Sequence, residues 1–243
     1  MNRKRIDINC DLGEGLGNEA QLMRYLSSCN VACGGHAGDL KTMKTVVDLA
    51  KRYGVKVGAH PSFPDKSNFG RVEIDMSPSE LSASLMSQIE SLRKVLFDFN
   101  LNMHHVKPHG ALYNKAVNDV ETAEIIVDVI KSFDSRLVLY APYRSVISDV
   151  ALNNNVQVFF EGFADRNYNE DLSLVSRQDS DAIISDSESI FKHVFEMVQM
   201  GFVRTKNGVE KPIKVDTICM HGDHKNAVEN LMYLRRELEV KNI

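Results

Sequence analysis

Short apolar segments and longer amphipathic segments alternate along the chain. The short segments are apolar in mostly continuous runs, which is typical of strands that are buried on both faces of a parallel sheet. We predict seven such strands, at residues 6–10, 29–33, 55–60, 103–107, 137–140, 156–161 and 216–220.

The longer segments carry apolar residues at helical spacing, most clearly in residues 81–96. Asp39 and Asp223 stand where they can cap helices, and Pro78 occupies a first helical position. An Asn-Gly pair within residues 205–214 indicates a hairpin. We predict helices over residues 19–28, 40–53, 78–100, 111–117, 119–133, 143–153 and 185–202, and a last helix after Asp223 that ends near residue 239.

This alternation fits either a (β/α) barrel or a doubly wound open sheet. Polar residues stand at the carboxyl end of nearly every predicted strand, namely Asp11, His36, His60, Lys107, His109, Glu161, His221 and Asp223. In a barrel these ends meet at one mouth, whereas in an open sheet ligands bind near the switch point. We therefore predict an α/β fold, a seven-stranded parallel (β/α) barrel that residues 1–243 form as a single domain.

The chemistry of the predicted mouth centres on the fourth strand. Pro108 ends that strand, and the side chains of His105, Lys107 and His109 share one face of it. Two imidazoles and an ammonium on one inward face are costly to bury without anions. We expect Asp11 or Glu161 to provide the anion for Lys107, since both stand at strand ends.

Composition narrows the class of protein. Hydrophobic residues make up 43% and charged residues 26% of the 243 residues, as in ordinary globular proteins. The net charge of -4 gives no reason to expect nucleic-acid or membrane binding, and no apolar run reaches the length of a membrane-spanning helix. We expect a cytoplasmic protein with four reduced cysteines, because their spacing fits neither a disulfide framework nor a zinc ribbon.

Seven blocks of sequence resemble the LamB/YcsF family. They are NCDLGE (9–14), ACGGHAGD (32–39), GAHPSFPD (58–65), FGR (69–71), VKPHGALYN (106–114), FADRNY (163–168) and CMHGD (219–223). They span nearly the whole chain in order, so the resemblance is specific. The chain departs from the family pattern at Gly35, where the pattern has an aromatic residue, and at Val72, where it has a second arginine.

The resemblance implies an irregular seven-stranded barrel of the glycoside hydrolase/deacetylase type. It also implies ATP-dependent cleavage of 5-oxo-L-proline to L-glutamate, with hydrolysis of ATP to ADP and phosphate, in a complex with two other subunits. The sequence lacks the Gly-x-x-x-x-Gly-Lys-Ser/Thr loop of P-loop nucleotide sites. We therefore expect ATP to bind at, or together with, a partner subunit.

This reaction assigns roles to the predicted mouth. Opening a lactam needs a base, an acid and cationic groups that stabilise negative charge. Asp11 or Glu161 can be the base, His109 or His221 the acid, and Lys107 the oxyanion or phosphate partner. The expected substrate-binding residues are Asn9, His36, His60, Arg71 and Arg166. Either arginine can hold the substrate carboxylate, and Arg166 can instead be a structural clamp for a loop.

Two other functions stay open. The first is a metal-dependent deacetylase or amidohydrolase, because the superfamily that the resemblance implies often places Asp and two His around a divalent ion. The ligands here would be Asp7 or Asp11 with His36 and His60, although their spacing is not a compact metal motif. The second is a subunit without catalysis of its own that presents substrate to its partners. Association with further copies of itself also stays open.

Overall fold

Seven parallel strands close into a barrel in the computed structural model, which describes residues 5–243. They follow one another around the barrel in chain order, and the last strand pairs with the first. The strands are β1 (Asp7–Leu12), β2 (Ser28–Ala32), β3 (Lys56–His60), β4 (Met103–Val106), β5 (Val138–Pro142), β6 (Gln157–Phe163) and β9 (Thr217–Cys219). The predicted barrel is therefore confirmed.

Helices in the connections between the strands shield the barrel, in the manner of an α/β fold. They are α1 (Glu19–Leu22), α2 (Leu40–Tyr53), α3 (Pro78–Asp98), α4 (Gly110–Ala116), α5 (Val120–Phe133), α6 (Val146–Asn153), α7 (Ser187–Phe195) and α8 (Ala227–Val240). Asp39 caps α2 by accepting a hydrogen bond from the Thr42 N–H, as predicted. Ser77 and Glu80 form a capping box at the start of α3.

Two predicted helices are wrong in their extent. The helix predicted over residues 19–28 is only the short α1 and a 3₁₀ turn, because the chain is extended from Leu26 and joins the sheet through Ser27 N–H and Ile8 C=O. The helix predicted over residues 185–202 ends as a π turn at Met200. Gly201, in the left-handed conformation with φ 72°, reverses the chain there.

Two other helices begin later than predicted. The prediction that Asp223 caps the last helix is wrong, since α8 begins at Ala227 and Asp223 accepts a hydrogen bond from Arg177. The helix predicted from residue 143 begins at Val146, where Ser145 caps it. The predicted hairpin is confirmed as an antiparallel pair, β7 (Phe202–Arg204) with β8 (Glu210–Pro212).

The inside of the barrel is unusually polar. Asp7 accepts hydrogen bonds from Ser28 and Thr217, and Asn30 donates to both Asn9 and Asp11. These side chains are largely buried, so their mutual hydrogen bonds offset the cost of removing them from water. The hydrophobic core lies instead between the outer faces of the strands and the helices, where α2 and α3 bury their apolar sides.

The parallel barrel brings all the strand carboxyl ends to one mouth. β1 delivers Asp11 there, β3 delivers His60, β6 delivers Glu161, and Lys107 follows β4 directly. Within the part of the chain that the structure describes, no helix has the length and apolar character needed to cross a membrane.

Candidate active site at the barrel mouth

A buried lysine lies at the centre of the mouth. The Lys107 ammonium is 3.0 Å from Asp11 Oδ1 and 3.0 Å from Glu161 Oε1, and it donates to Cys219 Sγ at 3.1 Å. It also lies 5.5 Å from the centre of the Phe163 ring. Lys107 is only 2% exposed, so both predicted acids balance its charge inside the protein.

The opposite charges in this group stabilise one another in their ionised forms. Burial opposes the ionised form of Lys107, but Asp11, Cys219 and Glu161 outweigh burial and raise the pKa of the lysine well above its usual value. Burial likewise opposes the charge of Asp11, but His60 and Lys107 hold the pKa of that carboxyl well below its usual value. The ammonium and the Asp11 carboxylate are therefore both ionised at neutral pH.

Glu161 is the most firmly held acid of the mouth. Its Oε1 accepts from Asn9 Nδ2 at 3.0 Å, and its Oε2 accepts from the Tyr113 hydroxyl at 2.8 Å. Its side chain is fully buried, and Lys107 is its third donor. A carboxylate with three donors is fixed in place and is better suited to orient the lysine than to move protons.

Three histidines pack together beside the lysine. His60 Nε2 is 3.0 Å from His109 Nδ1, and His36 stacks on His109 with ring centres 3.6 Å apart. Glu14 reaches this group from the glycine-rich loop after β1, with its Oε1 3.0 Å from His36 Nε2. Ligand atoms of these four residues all lie within 4.8 Å of one another, so the group can hold a metal ion. Asp11, Cys219 and His221 form a second such group.

Burial controls the charge of two of these histidines. It lowers the pKa of His36 to about 3, with a further contribution from His60. Burial and the neighbouring rings of His60 and His36 lower the pKa of His109 to about 3 as well. Both rings are thus neutral at physiological pH. Burial, followed by the charge of Asp11, raises the pKa of Glu14.

His221 and Asp165 form a dyad on the other side of the mouth. Asp165 accepts from the backbone N–H of His221 at 3.0 Å and contacts its Nδ1 at 2.9 Å. Burial opposes the imidazolium, but the charge and hydrogen bond of Asp165 outweigh burial and raise the pKa of His221. The dyad therefore favours a protonated His221.

A cavity of about 620 Å³ opens above these groups. The predicted site residues that line it are Asp11, His60, Arg71, Lys107, His109, Glu161, Arg166 and His221. His36 lies against the stacked ring of His109. Asn9 is fully buried beneath Glu161, where it supports that carboxylate. The structure thus gathers the predicted residues at one mouth, with Asn9 beneath the others.

The two arginines of the cavity have different surroundings. Arg166 is buried and donates to the backbone carbonyls of Val175 and Ala182, so it clamps the loop before α7. The Arg71 side chain is 53% exposed and lies 4.0 Å from Asp223. Arg71 therefore has the freer guanidinium for a substrate carboxylate.

Besides Cys219, which was predicted only as a reduced cysteine and which contacts Lys107, three residues of this site were not predicted from the sequence. Glu14 lies in the glycine-rich loop, Tyr113 lies on α4, and Asp165 follows β6. All three belong to sequence blocks that also contain predicted site residues, and this membership is the sequence feature that could have indicated them. Each acts by contacting a predicted residue from another element, which only the fold shows.

The two departures from the family pattern have different settings. A Cβ atom at Gly35 would lie 2.4 Å from both Gln88 Oε1 and Ser62 Oγ. Gln88 bonds the backbone of Ser62 through both ends of its amide, so it occupies the space that a side chain at position 35 needs. Val72 is exposed, beside Arg71.

Comparisons with known proteins agree on one family. Residues 6–243 match the sequence profile of the LamB/YcsF family. The A subunit of 5-oxoprolinase from Pyrococcus furiosus is 42% identical over 98% of this chain and 96% of its own length, and that from Clostridium beijerinckii is 43% identical with the same coverage. A crystal structure of a lactam utilization protein from Thermus thermophilus superposes with a TM-score of 0.92 at 37% identity, over 98% of this chain and 97% of that one.

Proposed function

The chain belongs to the LamB/YcsF family, and from this we propose that it is the subunit of an ATP-dependent 5-oxoprolinase that carries the lactam-opening site. Relatives that are 42% and 43% identical over nearly their full length are named as the A subunit of 5-oxoprolinase, which supports this reaction. The observation that carries the proposal is the Lys107 ammonium, held between Asp11 and Glu161 at the floor of a cavity.

The reaction needs activation of an unreactive amide. Transfer of the ATP γ-phosphoryl group to the lactam oxygen produces ADP and makes the ring carbon electrophilic. Water adds to that carbon, the carbon–nitrogen bond breaks as the nitrogen gains a proton, and a second water hydrolyses the resulting acyl phosphate to glutamate and phosphate. Negative charge develops on oxygen in these steps, so a fixed cation lowers their barriers.

Lys107 supplies that cation. Because Asp11 and Glu161 fix the ammonium before substrate binds, little reorganisation is needed when charge develops. Glu161 orients the lysine, while Asp11 Oδ2 lies 3.4 Å from His60 Nε2. In our proposal Asp11 accepts the proton of the attacking water.

His221 supplies the proton for the ring nitrogen. Asp165 engages its Nδ1 and stabilises the imidazolium, which leaves Nε2 as the donor. Arg71 binds the substrate carboxylate, since its guanidinium is exposed at the cavity and Arg166 is committed to backbone carbonyls.

In our proposal ATP binds at or with two partner subunits. The absence of a P-loop sequence supports this division of labour, and so do the names of the relatives, which describe one component of a larger enzyme. The test is to reconstitute the chain with its two partners and supply ATP with 5-oxo-L-proline or an acetylated sugar. We expect glutamate and ADP from the first and no acetate from the second, and acetate release without glutamate would contradict the proposal.

A further inference from the structure

Two histidine nitrogens, His60 Nε2 and His109 Nδ1, face each other, and Asp11 Oδ2 lies 3.4 Å from the first of them. His60 Nδ1 is 2.8 Å from the Lys107 carbonyl oxygen, and His109 Nε2 is 2.9 Å from the Phe69 carbonyl oxygen. Carbonyl oxygens only accept hydrogen bonds, so these two nitrogens carry the ring hydrogens. In neutral rings the remaining nitrogens, His60 Nε2 and His109 Nδ1, therefore direct lone pairs at each other across 3.0 Å. This arrangement is repulsive unless a metal ion or a shared proton lies beside both atoms.

Glu14 completes a ligand set around the same point. Its Oε1 is 3.6 Å from His109 Nδ1 and 3.9 Å from His60 Nε2. Tetrahedral ligands with metal bonds of about 2.1 Å lie about 3.4 Å from one another. The three separations of 3.0, 3.6 and 3.9 Å lie on both sides of that value.

We propose that Glu14, His60 and His109 bind one divalent transition-metal ion of the zinc or cobalt class, with a position open to the cavity. Two imidazoles and one carboxylate suit such ions, whereas magnesium and calcium prefer oxygen ligands alone. The carbonyls of Lys107 and Phe69 fix the tautomer and the orientation of the rings, as the outer partners of metal-binding histidines do.

His36 orients this set and is not one of the three ligands. Its ring is parallel to that of His109 within 6°, so the two rings cannot both direct in-plane lone pairs at one ion. Its Nε2 instead donates to Glu14 Oε1 at 3.0 Å. Its buried Nδ1 has no hydrogen-bond partner among the described residues, which fits a ring that carries its hydrogen on Nε2.

The second group of metal-ligand atoms is a weaker candidate. Lys107 Nζ lies 3.0 Å from Asp11 and 3.1 Å from Cys219, so an ammonium already balances those two side chains. His221 engages Asp165 through Nδ1. A metal ion there would be repelled by Lys107. Asp7 cannot join either group, because its partners lie at the opposite end of β1.

The test measures metal binding by the full-length chain and needs no activity, so it is independent of the proposed reaction. The purified chain is stripped with a chelator, dialysed and titrated with Zn²⁺ and with Co²⁺. We expect one equivalent of either ion to bind, with a rise in melting temperature and a visible absorption band of four- or five-coordinate cobalt. A folded chain that binds neither ion would overturn the proposal and leave a shared proton between the two rings.

Single substitutions of the proposed ligands test where the ion binds. We expect His60→Ala, His109→Ala and Glu14→Gln each to weaken binding by more than about a hundredfold, and His36→Ala by about tenfold. The matched control is His224→Ala, a half-buried histidine outside the group, which should bind normally. Glu14→Gln keeps the bulk of the side chain, and the melting temperature of each stripped variant shows that it is folded. Binding that survives in these variants but is lost in Cys219→Ser would contradict the proposal.

Discussion

At the scale of single residues, our proposal gives Lys107 both a structural and a chemical role. Its charge neutralises the fully buried Glu161 carboxylate and the partly buried Asp11 carboxylate, and the same contacts hold the ammonium at the floor of the cavity. The sequence predicted this partnership because a strand end can bury an ammonium only beside an anion. It did not predict that both acids contact the lysine at once, because that depends on how β1, β4 and β6 meet.

Lys107→Met separates the two roles. The substitution keeps most of the bulk of the side chain and removes its charge, so we expect the chain to fold. We expect the reconstituted complex to turn over at least about a hundredfold more slowly, which is the loss typical of removing an electrostatic stabiliser. Turnover of the complex and thermal denaturation of the chain are measured on the same preparation.

The control for this variant is Lys115→Met, a half-exposed lysine on α4 that pairs loosely with Glu73. It should leave both turnover and stability nearly unchanged. If Lys107 only neutralises the acids, its replacement will lower the melting temperature more than it slows the reaction. A stable Lys107→Met chain with wild-type turnover would refute the catalytic role.

The His221–Asp165 pair makes a pH-dependent contribution to stability. Asp165 raises the pKa of His221, with a smaller contribution from Asp11 and opposition from burial and Arg177. The pKa of Asp165 is lowered, because His221 outweighs its burial. The pair therefore stabilises the fold most between about pH 4 and 6.5, the usual pKa values of the two groups. The stabilisation disappears as pH rises through the raised pKa of His221, or falls through the lowered pKa of Asp165.

His221→Gln tests this dependence. We expect its melting temperature to fall furthest below that of the wild type within that window, and the two curves to converge as pH rises through the pKa of His221. A difference that is constant with pH would show that the ring acts by packing alone.

At the scale of elements, the alternation of apolar strands and amphipathic helices was sufficient to predict the order and most of the boundaries. The errors lie where a single contact decides the boundary. Ser27 joins the sheet and ends the first helix early, and Gly201 ends the helix that begins at Ser187. Asp223 has a good capping side chain, but it binds Arg177 and the helix begins later. The contacts of Ser27 and Asp223 come from other parts of the chain and leave no local pattern, whereas the glycine at position 201 is a local signal for a helix end.

Gly58 on β3 shows how the polar interior constrains one strand. A Cβ atom at this position would lie 2.2 Å from the imidazole of His105, which is fully buried and stacked on Tyr140. We expect Gly58→Ala to lower the free energy of unfolding by about 1–3 kcal/mol through overpacking, measured by denaturant titration.

The double variant Gly58→Ala/His105→Ala is the matched control for that prediction. Removing the imidazole makes room for the added methyl group, so adding the alanine at position 58 should cost much less in the His105→Ala background than in the wild type. Equal costs in both backgrounds would show that the clash is not the cause.

At the scale of the whole molecule, the barrel collects groups from six strands at one mouth and places them in three clusters. Lys107 and its acids lie at the floor, the histidines with Glu14 lie on one side, and His221 with Asp165 lies on another. The mouth was predictable because parallel strands share a direction. The roles of Asn9, Glu14 and Asp165 were not, since each depends on a contact between elements that are far apart in sequence.

The central claim is that this chain contributes the lactam-opening site to a complex that hydrolyses ATP. Its most direct test is to measure glutamate and ADP formed from 5-oxo-L-proline and ATP by the chain alone, by the two partner subunits alone and by all three together. We predict that only the three together form glutamate and ADP, in equal amounts, and that either part alone forms little or no glutamate. Robust glutamate formation by the purified chain alone, or a full rate from the partners without it, would contradict the account.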